Sequence, residues 1–130
     1  MSGFAFDSNI IIDALRGFEE AHAELRRAVD RGGRTWISRM VWIEVMSKGS
    51  GEGLRRAERF LSGFGVDEVD EEISIRAASL RRERPRLKLP DAVILASALT
   101  RGRVLVTRNT KDFPVNMPGI RVPYLEPKKV

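Results

Sequence analysis

Short apolar segments alternate along the chain with longer amphipathic ones, and this alternation limits the fold more than any other feature of the sequence. The apolar segments are predicted to be strands at residues 4–6, 35–37, 66–69, 104–106 and 120–122. Helices are predicted at residues 10–15, 19–30, 39–47, 54–62, 71–83 and 90–101. This order predicts an α/β protein, a three-layer α/β/α sandwich with a mostly parallel central sheet.

Three carboxylates, Asp7, Glu44 and Asp91, each stand alone in an apolar stretch. An unpaired buried carboxylate is costly, so each must reach water, a partner or a cation. Asp7 follows the first strand, and residues 107–112 follow another, at the edge where parallel sheets gather ligands. Carboxylates that meet there repel each other unless a cation is present, and oxygen ligands alone favour Mg²⁺ or Mn²⁺.

Each acid also has an ordinary structural alternative. Asp7 in Asp7-Ser8-Asn9 has the position of a helix N-cap, a role worth about 1 kcal/mol. Asp91 lies in a first helical turn, where a negative charge favours the helix dipole. Glu44 can project to solvent, and Asp112 can be a plain loop acid. The sequence leaves these alternatives open for each residue taken alone.

Composition narrows the classes of function. The 130 residues predict one domain spanning 1–130, with an irregular tail from about residue 124. There is no cysteine and the only histidine is His22, which excludes thiolate zinc sites and catalysis by a Ser-His or Cys-His pair. The net charge of +5 favours a polyanionic partner, although an arginine-rich solvated surface has the same composition. With neither an apolar run long enough for a membrane span nor a signal-peptide pattern, we expect a cytoplasmic protein without membrane contact.

Four motifs taken together resemble the PIN domain family. They are Asp7-Ser8-Asn9 after the first strand, Glu44 in an apolar helix after a Ser cap, Leu89-Pro90-Asp91-Ala92 opening another helix, and residues 107–113 after a strand. The pattern is most similar to the VapC-type toxins of toxin–antitoxin pairs. The resemblance implies a Mg²⁺-dependent endoribonuclease that hydrolyses RNA phosphodiester bonds, forms a homodimer and is neutralised by an antitoxin protein.

The resemblance also implies roles for single residues. Asp7, Glu44 and Asp91 match the three core acids of the family, and Asp112 matches the more variable fourth, with Asn109 as its competitor. Ser8 stands where threonine is more usual, and the hydroxyl is kept. Groups expected to support the ligands or orient the substrate are Ser8, Thr107 and Asn109.

The basic residues next to these motifs are candidates for RNA contact. Arg86 and Lys88 immediately precede Asp91, and Arg108 lies in the last loop. A solvated surface is the alternative for them. Two other functions compete with the nuclease: a catalytically silent PIN module that binds RNA or protein, and a phosphotransferase with an aspartate nucleophile. The second is disfavoured because no aspartate follows Asp7 two residues later.

Overall fold

The computed structural model describes residues 3–113 and 116–126, and within these residues it contains one five-stranded sheet and six helices. The strands are β1 (Phe4–Phe6), β2 (Thr35–Ser38), β3 (Gly65–Asp67), β4 (Val104–Val106) and β5 (Ile120–Arg121). The helices are α1 (Ser8–Leu15), α2 (Glu19–Asp30), α3 (Arg39–Met46), α4 (Gly51–Leu61), α5 (Glu71–Glu83) and α6 (Leu89–Arg101). The predicted α/β class is confirmed.

All strand pairs are parallel, in the order β3-β2-β1-β4-β5. The chain leaves the centre of the sheet through β2 and β3, then returns to the other side of β1 at β4. Because such crossovers are right-handed, this reversal places the β1-to-β3 connections on one face and the α5–α6 connection on the other. A crevice therefore opens between the carboxyl ends of β1 and β4.

Local capping sets the ends of several helices. The Asp7 carboxylate accepts a hydrogen bond from the Ser8 N–H at the start of α1, and Asp70 accepts one of 2.9 Å from the Ile73 N–H at the start of α5. Gly102 ends α6 with a φ of +70°, a left-handed conformation that favours glycine. The sequence alone indicated these helix ends, because Asp7 and Asp70 are typical N-cap residues and Gly102 is a typical residue at the end of a helix.

Two elements differ most from their predicted bounds. Helix α4 begins at Gly51 rather than at Leu54, since Glu52 in its first turn pairs with arginines of the following turns and favours the helix dipole. Strand β3 ends at Asp67, and Val69 is exposed in the turn that leads to α5.

The core lies on both faces of the central strands. Phe4, Ala5 and Phe6 are all buried, and seven consecutive residues of α6, from Ala92 to Ala98, are buried against the sheet and neighbouring helices. This burial explains why the middle of α6 has no charged residue, since a helical segment that is buried on every side has no position where a charge can be solvated. Asp91, in the first turn of α6, is half-buried and directly precedes this buried segment.

A buried ion pair joins the end of β3 to the start of β4. The Arg103 guanidinium donates two hydrogen bonds to the Asp67 carboxylate, at 3.0 and 2.7 Å, and its carbon lies 3.7 Å from the centroid of the Trp36 ring. The Asp67 side chain is 4% exposed and that of Arg103 is 10% exposed. Such a pair is costly to break because either charge alone is poorly solvated.

The end of the chain has little regular structure where it is described. Residues 122–126 form neither helix nor strand, and the rest of the predicted irregular tail, residues 127–130, lies outside the described residues. Among the described helices, none has the length and apolarity to span a bilayer.

Candidate metal centre

The candidate site begins where β1 and β4 end side by side. Phe6 pairs with Val106 in the parallel register, and the Asp7 N–H donates to the Val106 carbonyl at 2.9 Å. Asp7 and Thr107 therefore lie next to each other just beyond the sheet, in the crevice created by the reversal of strand order.

Asp7 is the most buried of the four predicted acids, with 3% of its surface exposed. Its carboxylate accepts hydrogen bonds from the Ser8 N–H at 2.7 Å, the Thr107 hydroxyl at 2.7 Å and the Asn9 amide at 3.3 Å. Burial raises the pKa of Asp7, and the negative charge of Glu44 raises it further, against the hydrogen bonds that lower it. Asp7 thus caps α1 and also interacts electrostatically with a second acid.

Glu44 lies in the second turn of α3, half-buried beside the buried Val41 and Val45. Its Oε1 atom is buried without a hydrogen-bond partner in the structure. Burial raises the pKa of Glu44, the charge of Asp91 adds to this effect, and the Ser8 hydroxyl opposes it. A buried carboxylate oxygen without a hydrogen-bond partner is rare in folded proteins.

Asp91, in the first turn of α6, interacts with the other acids. Burial raises the pKa of Asp91 to about 6, and the charges of Asp7 and Asp112 contribute, while Lys88 lowers it. The residue is half-buried, so solvent screens part of this repulsion. Asp91 is therefore coupled to acids from three other parts of the chain, Asp7, Glu44 and Asp112.

Asn109 and Asp112 hold each other within the loop after β4. The Asn109 side-chain amide donates to the Asp112 carboxylate at 2.9 Å, and the Asp112 N–H donates to the Asn109 side-chain oxygen at 3.2 Å. The Asn109 N–H donates to the Thr107 hydroxyl at 3.0 Å. Because the charge of Asp112 acts on Asp91, this arrangement favours Asp112 as the fourth acid, with Asn109 supporting it.

The donor chemistry of this cluster fits a hard divalent cation. All four acids supply oxygen, the pKa values of Asp7, Glu44 and Asp91 are raised by burial and by neighbouring acids, and one oxygen of Glu44 is buried without a hydrogen-bond partner. Across residues 3–113 and 116–126, however, no three acidic or histidine side chains converge as tightly as the ligands of a bound ion. The four acids form a repulsive cluster in this structure, not a closed coordination shell.

An open cleft of about 510 Å³ extends from the cluster along α1 and α3. Its lining residues are Ser8, Asn9, Ile12, Arg16, Ile43, Glu44, Ser47, Lys48 and Arg108. One end thus carries the Glu44 carboxylate, and the walls carry basic groups and apolar side chains. Its openness and mixed charge suit an extended polyanion that brings one phosphate to the acids.

The predicted RNA-contact residues occupy two different environments. Arg86 and Lys88 are exposed before α6, and Lys88 acts electrostatically on Asp91. The guanidinium of Arg108 instead forms an ion pair with Asp13 at 2.7 Å, and its side chain is 19% exposed. RNA contact remains a prediction for these residues. For Arg108, such a contact would compete with the ion pair to Asp13.

Two residues at the site have no role in the sequence predictions. Asn9 donates to Asp7 and accepts from the Arg108 N–H at 3.4 Å, and Asp13 binds the side chain of the same arginine. Their spacing of four places them on one face of α1. The sequence signal for these roles was a pair of polar residues, Asn9 and Asp13, on one face of a helix that is otherwise largely apolar.

Replacing Thr107 by valine tests the hydrogen bonds that support Asp7. Thr107 is completely buried, and Thr107→Val keeps the shape while removing the donor to Asp7 and the acceptor for the Asn109 N–H. We expect a loss of about 1–3 kcal/mol in the free energy of unfolding, measured by urea denaturation. The control is Thr110→Val, an exposed position of the same loop, and equal stability of the two variants would contradict the assignment.

The fold and the site together define a class: an α/β protein with a parallel sheet and a centre of four acids at one end of it. The family model described as the PIN domain matches residues 4–115. The chain belongs to the PIN domain family. No curated protein sequence matches it significantly.

Several solved structures are similar to this chain. A chain of a toxin–antitoxin complex from Klebsiella pneumoniae is 38% identical, with a TM-score of 0.85 over 95% of this chain and 99% of that chain. DNA-bound VapBC from Salmonella typhimurium is 27% identical, with a TM-score of 0.77 over 93% of this chain and 96% of that chain. FitAcB from Neisseria gonorrhoeae, 19% identical with a TM-score of 0.73 over 92% of this chain and 97% of that chain, shares the fold.

Proposed function

We propose that this chain is a Mg²⁺-dependent endoribonuclease and the VapC-type toxin of a toxin–antitoxin pair. The observation that carries the proposal is the electrostatic coupling of four acids from four elements at one end of the sheet. A metal-free protein gains nothing from holding these charges together, whereas a divalent cation would neutralise them. Membership of the PIN domain family supports the same conclusion.

The acids Asp7, Glu44, Asp91 and Asp112 would hold Mg²⁺, or Mn²⁺ in its place. When bound, the ion would position a water molecule and help to deprotonate it for attack on an RNA phosphodiester. The protein's own contribution is orientation: Thr107 and Ser8 fix the Asp7 carboxylate, and Asn109 fixes that of Asp112. Such supporting hydrogen bonds keep ligand oxygens aimed at one point.

The charge around the site supports an RNA substrate. The cleft that begins at Glu44 carries Arg16 and Lys48 on its walls, and Arg86 and Lys88 lie exposed before α6, the helix of Asp91. Basic groups on both sides of an acidic centre attract the polyanion that the centre alone would repel. We therefore assign Arg86 and Lys88 to phosphate contact.

The proposed partner is an antitoxin protein. The similar chain from Klebsiella pneumoniae is part of a toxin–antitoxin complex, and VapBC and FitAcB have the same fold. We extend this to a cytoplasmic homodimer whose activity a cognate antitoxin suppresses. Expression of the chain alone should arrest growth, and coexpression with the product of a neighbouring short reading frame should relieve the arrest.

Metal dependence is the direct test of the nuclease. Purified protein should cut single-stranded or structured RNA in Mg²⁺ or Mn²⁺, and EDTA should abolish cleavage, measured as fragments of end-labelled RNA. Asp7→Asn should be inactive, while Asp30→Asn, which removes an exposed acid at the end of α2, should cut normally.

Two results would contradict the proposal. Cleavage that persists in EDTA and in Asp7→Asn would mean that the acidic centre is not the site. RNA binding without any cleavage in Mg²⁺ or Mn²⁺ would identify a catalytically silent PIN module instead.

A further inference from the structure

An ion pair outside the four acids links α1 to the loop after β4. Asp13 is 1% exposed, and Arg108 donates to it twice, from Nε to Oδ2 at 2.7 Å and from Nη2 to Oδ1 at 3.2 Å. The Tyr124 hydroxyl donates to the same carboxylate at 2.8 Å. Three donors from two segments thus bind one buried carboxylate. Such charge-assisted hydrogen bonds are strong and also fix the orientation of the two side chains of the ion pair.

The arginine of this pair sits within the loop that carries the fourth acid. Its neighbour Thr107 binds Asp7, and its other neighbour Asn109 binds Asp112. A displacement of the Arg108 backbone must therefore move the supports of Asp7 and Asp112 together.

Helix α1 holds the loop at two points along one face. Asn9 accepts from the Arg108 N–H at 3.4 Å, and Asp13, one turn further on, binds the Arg108 guanidinium. Asn9 also donates to Asp7 at 3.3 Å and to the Thr107 hydroxyl at 3.4 Å. The backbone and the side chain of a single arginine are thus both fixed to the helix that Asp7 caps.

We propose that Asp13 and Arg108 are positioning residues whose ion pair fixes the loop of residues 107–112 and thereby places Asp112 for the metal ion. The inference rests on the proposed function and deepens it. It assigns the Arg108 side chain to a contact within the protein, whereas the sequence predicted that it would contact RNA. In this assignment the Arg108 side chain acts on the site through its ion pair with Asp13.

Direct contact between Arg108 and RNA predicts different behaviour. A phosphate contact contributes to the salt dependence of RNA binding, so its removal lowers the salt slope by about 1 and leaves metal affinity unchanged. A positioning residue has the opposite signature, since the metal site weakens even when no RNA is present.

The test measures Mn²⁺ affinity by EPR on the full chain without RNA. Asp13→Asn and Arg108→Gln should each weaken Mn²⁺ binding by about 10–100-fold, and the double variant should show no further loss because both act through one contact. The matched control is Glu24→Gln, which disrupts another buried pair, with Arg121 at 2.6 Å, and should leave Mn²⁺ affinity unchanged.

Hydrogen exchange of the Asn109 amide gives a readout that does not depend on metal. This N–H donates to the Thr107 hydroxyl, so its exchange should be about 10-fold faster or more in Asp13→Asn and unchanged in Glu24→Gln. If Asp13→Asn does not fold, Tyr124→Phe removes a single donor to the same carboxylate and should show smaller changes in the same direction.

Three outcomes would overturn the inference. They are wild-type Mn²⁺ affinity in Asp13→Asn and Arg108→Gln, an unchanged rate of Asn109 exchange in the variant that folds, and a lower RNA salt slope for Arg108→Gln with normal Mn²⁺ affinity. If the wild-type protein binds no Mn²⁺, the proposed metal function fails, and the exchange of Asn109 still decides whether the pair positions the loop.

Discussion

Asp91→Asn should abolish RNA cleavage and at the same time stabilise the metal-free protein. The loss of activity should be about 1,000-fold or more, because Asp91 is proposed as a direct metal ligand. Even the removal of a residue that only hydrogen-bonds to a metal ligand lowers metal affinity or activity by about 10–100-fold. Cleavage is measured with end-labelled RNA in Mg²⁺. The gain in stability follows from the repulsion that Asp91 shares with Asp7 and Asp112.

The sign of this gain depends on pH. The folded protein raises the pKa of Asp91 from an ordinary value of 3.8 to about 6, so between these values the folded state binds more protons than the unfolded chain. The free energy of unfolding therefore falls as the pH rises through this range and stays lower above it. A full shift would be worth about 3 kcal/mol, and solvent screening of this half-buried group reduces our expectation to about 1 kcal/mol.

Thermal unfolding in EDTA measures this effect. At about pH 8, Asp91→Asn should melt about 3 °C above the wild-type protein, and the difference should vanish near pH 4. Added Mg²⁺ should raise the Tm of the wild-type protein alone. Glu71→Gln, which removes an exposed acid from the first turn of α5, controls for the helix dipole. A variant Tm below that of the wild type at pH 8 would contradict the repulsion.

Asp67→Ala should cause the largest loss of stability without touching the acidic centre. It removes the carboxylate that neutralises the Arg103 guanidinium in a site where both side chains are almost wholly buried. Breaking such a pair from one side costs about 3–5 kcal/mol, so the Tm should fall by about 10 °C or more, measured by calorimetry. The activity that remains at low temperature should be normal.

The matched control removes both charges together. The double variant Asp67→Leu with Arg103→Leu should recover most of the lost stability, since an apolar pair buries no charge. A double variant less stable than Asp67→Ala would show that Arg103 stabilises the fold mainly through other contacts, such as the ring of Trp36.

Elements with strong local signals were predicted closely. Helix α2 spans Glu19–Asp30 as its amphipathic pattern indicated, because a glycine turn follows it directly. Strand β4 spans Val104–Val106 as its uninterrupted apolar run indicated. Helix α4 was predicted less well, because ion pairs within its first two turns offset the cost of its glycines.

By itself, the sequence determined the α/β class and selected Asp7, Glu44 and Asp91, because strand and helix periods and the isolation of a charge are local properties. Only the tertiary structure decided which side chains meet. Arg108 and Asp13, 95 residues apart, form an ion pair, and this pairing exists only because the parallel alignment of β1 and β4 brings α1 beside the last loop. A side chain's partner depends on how whole elements pack, which no local pattern specifies.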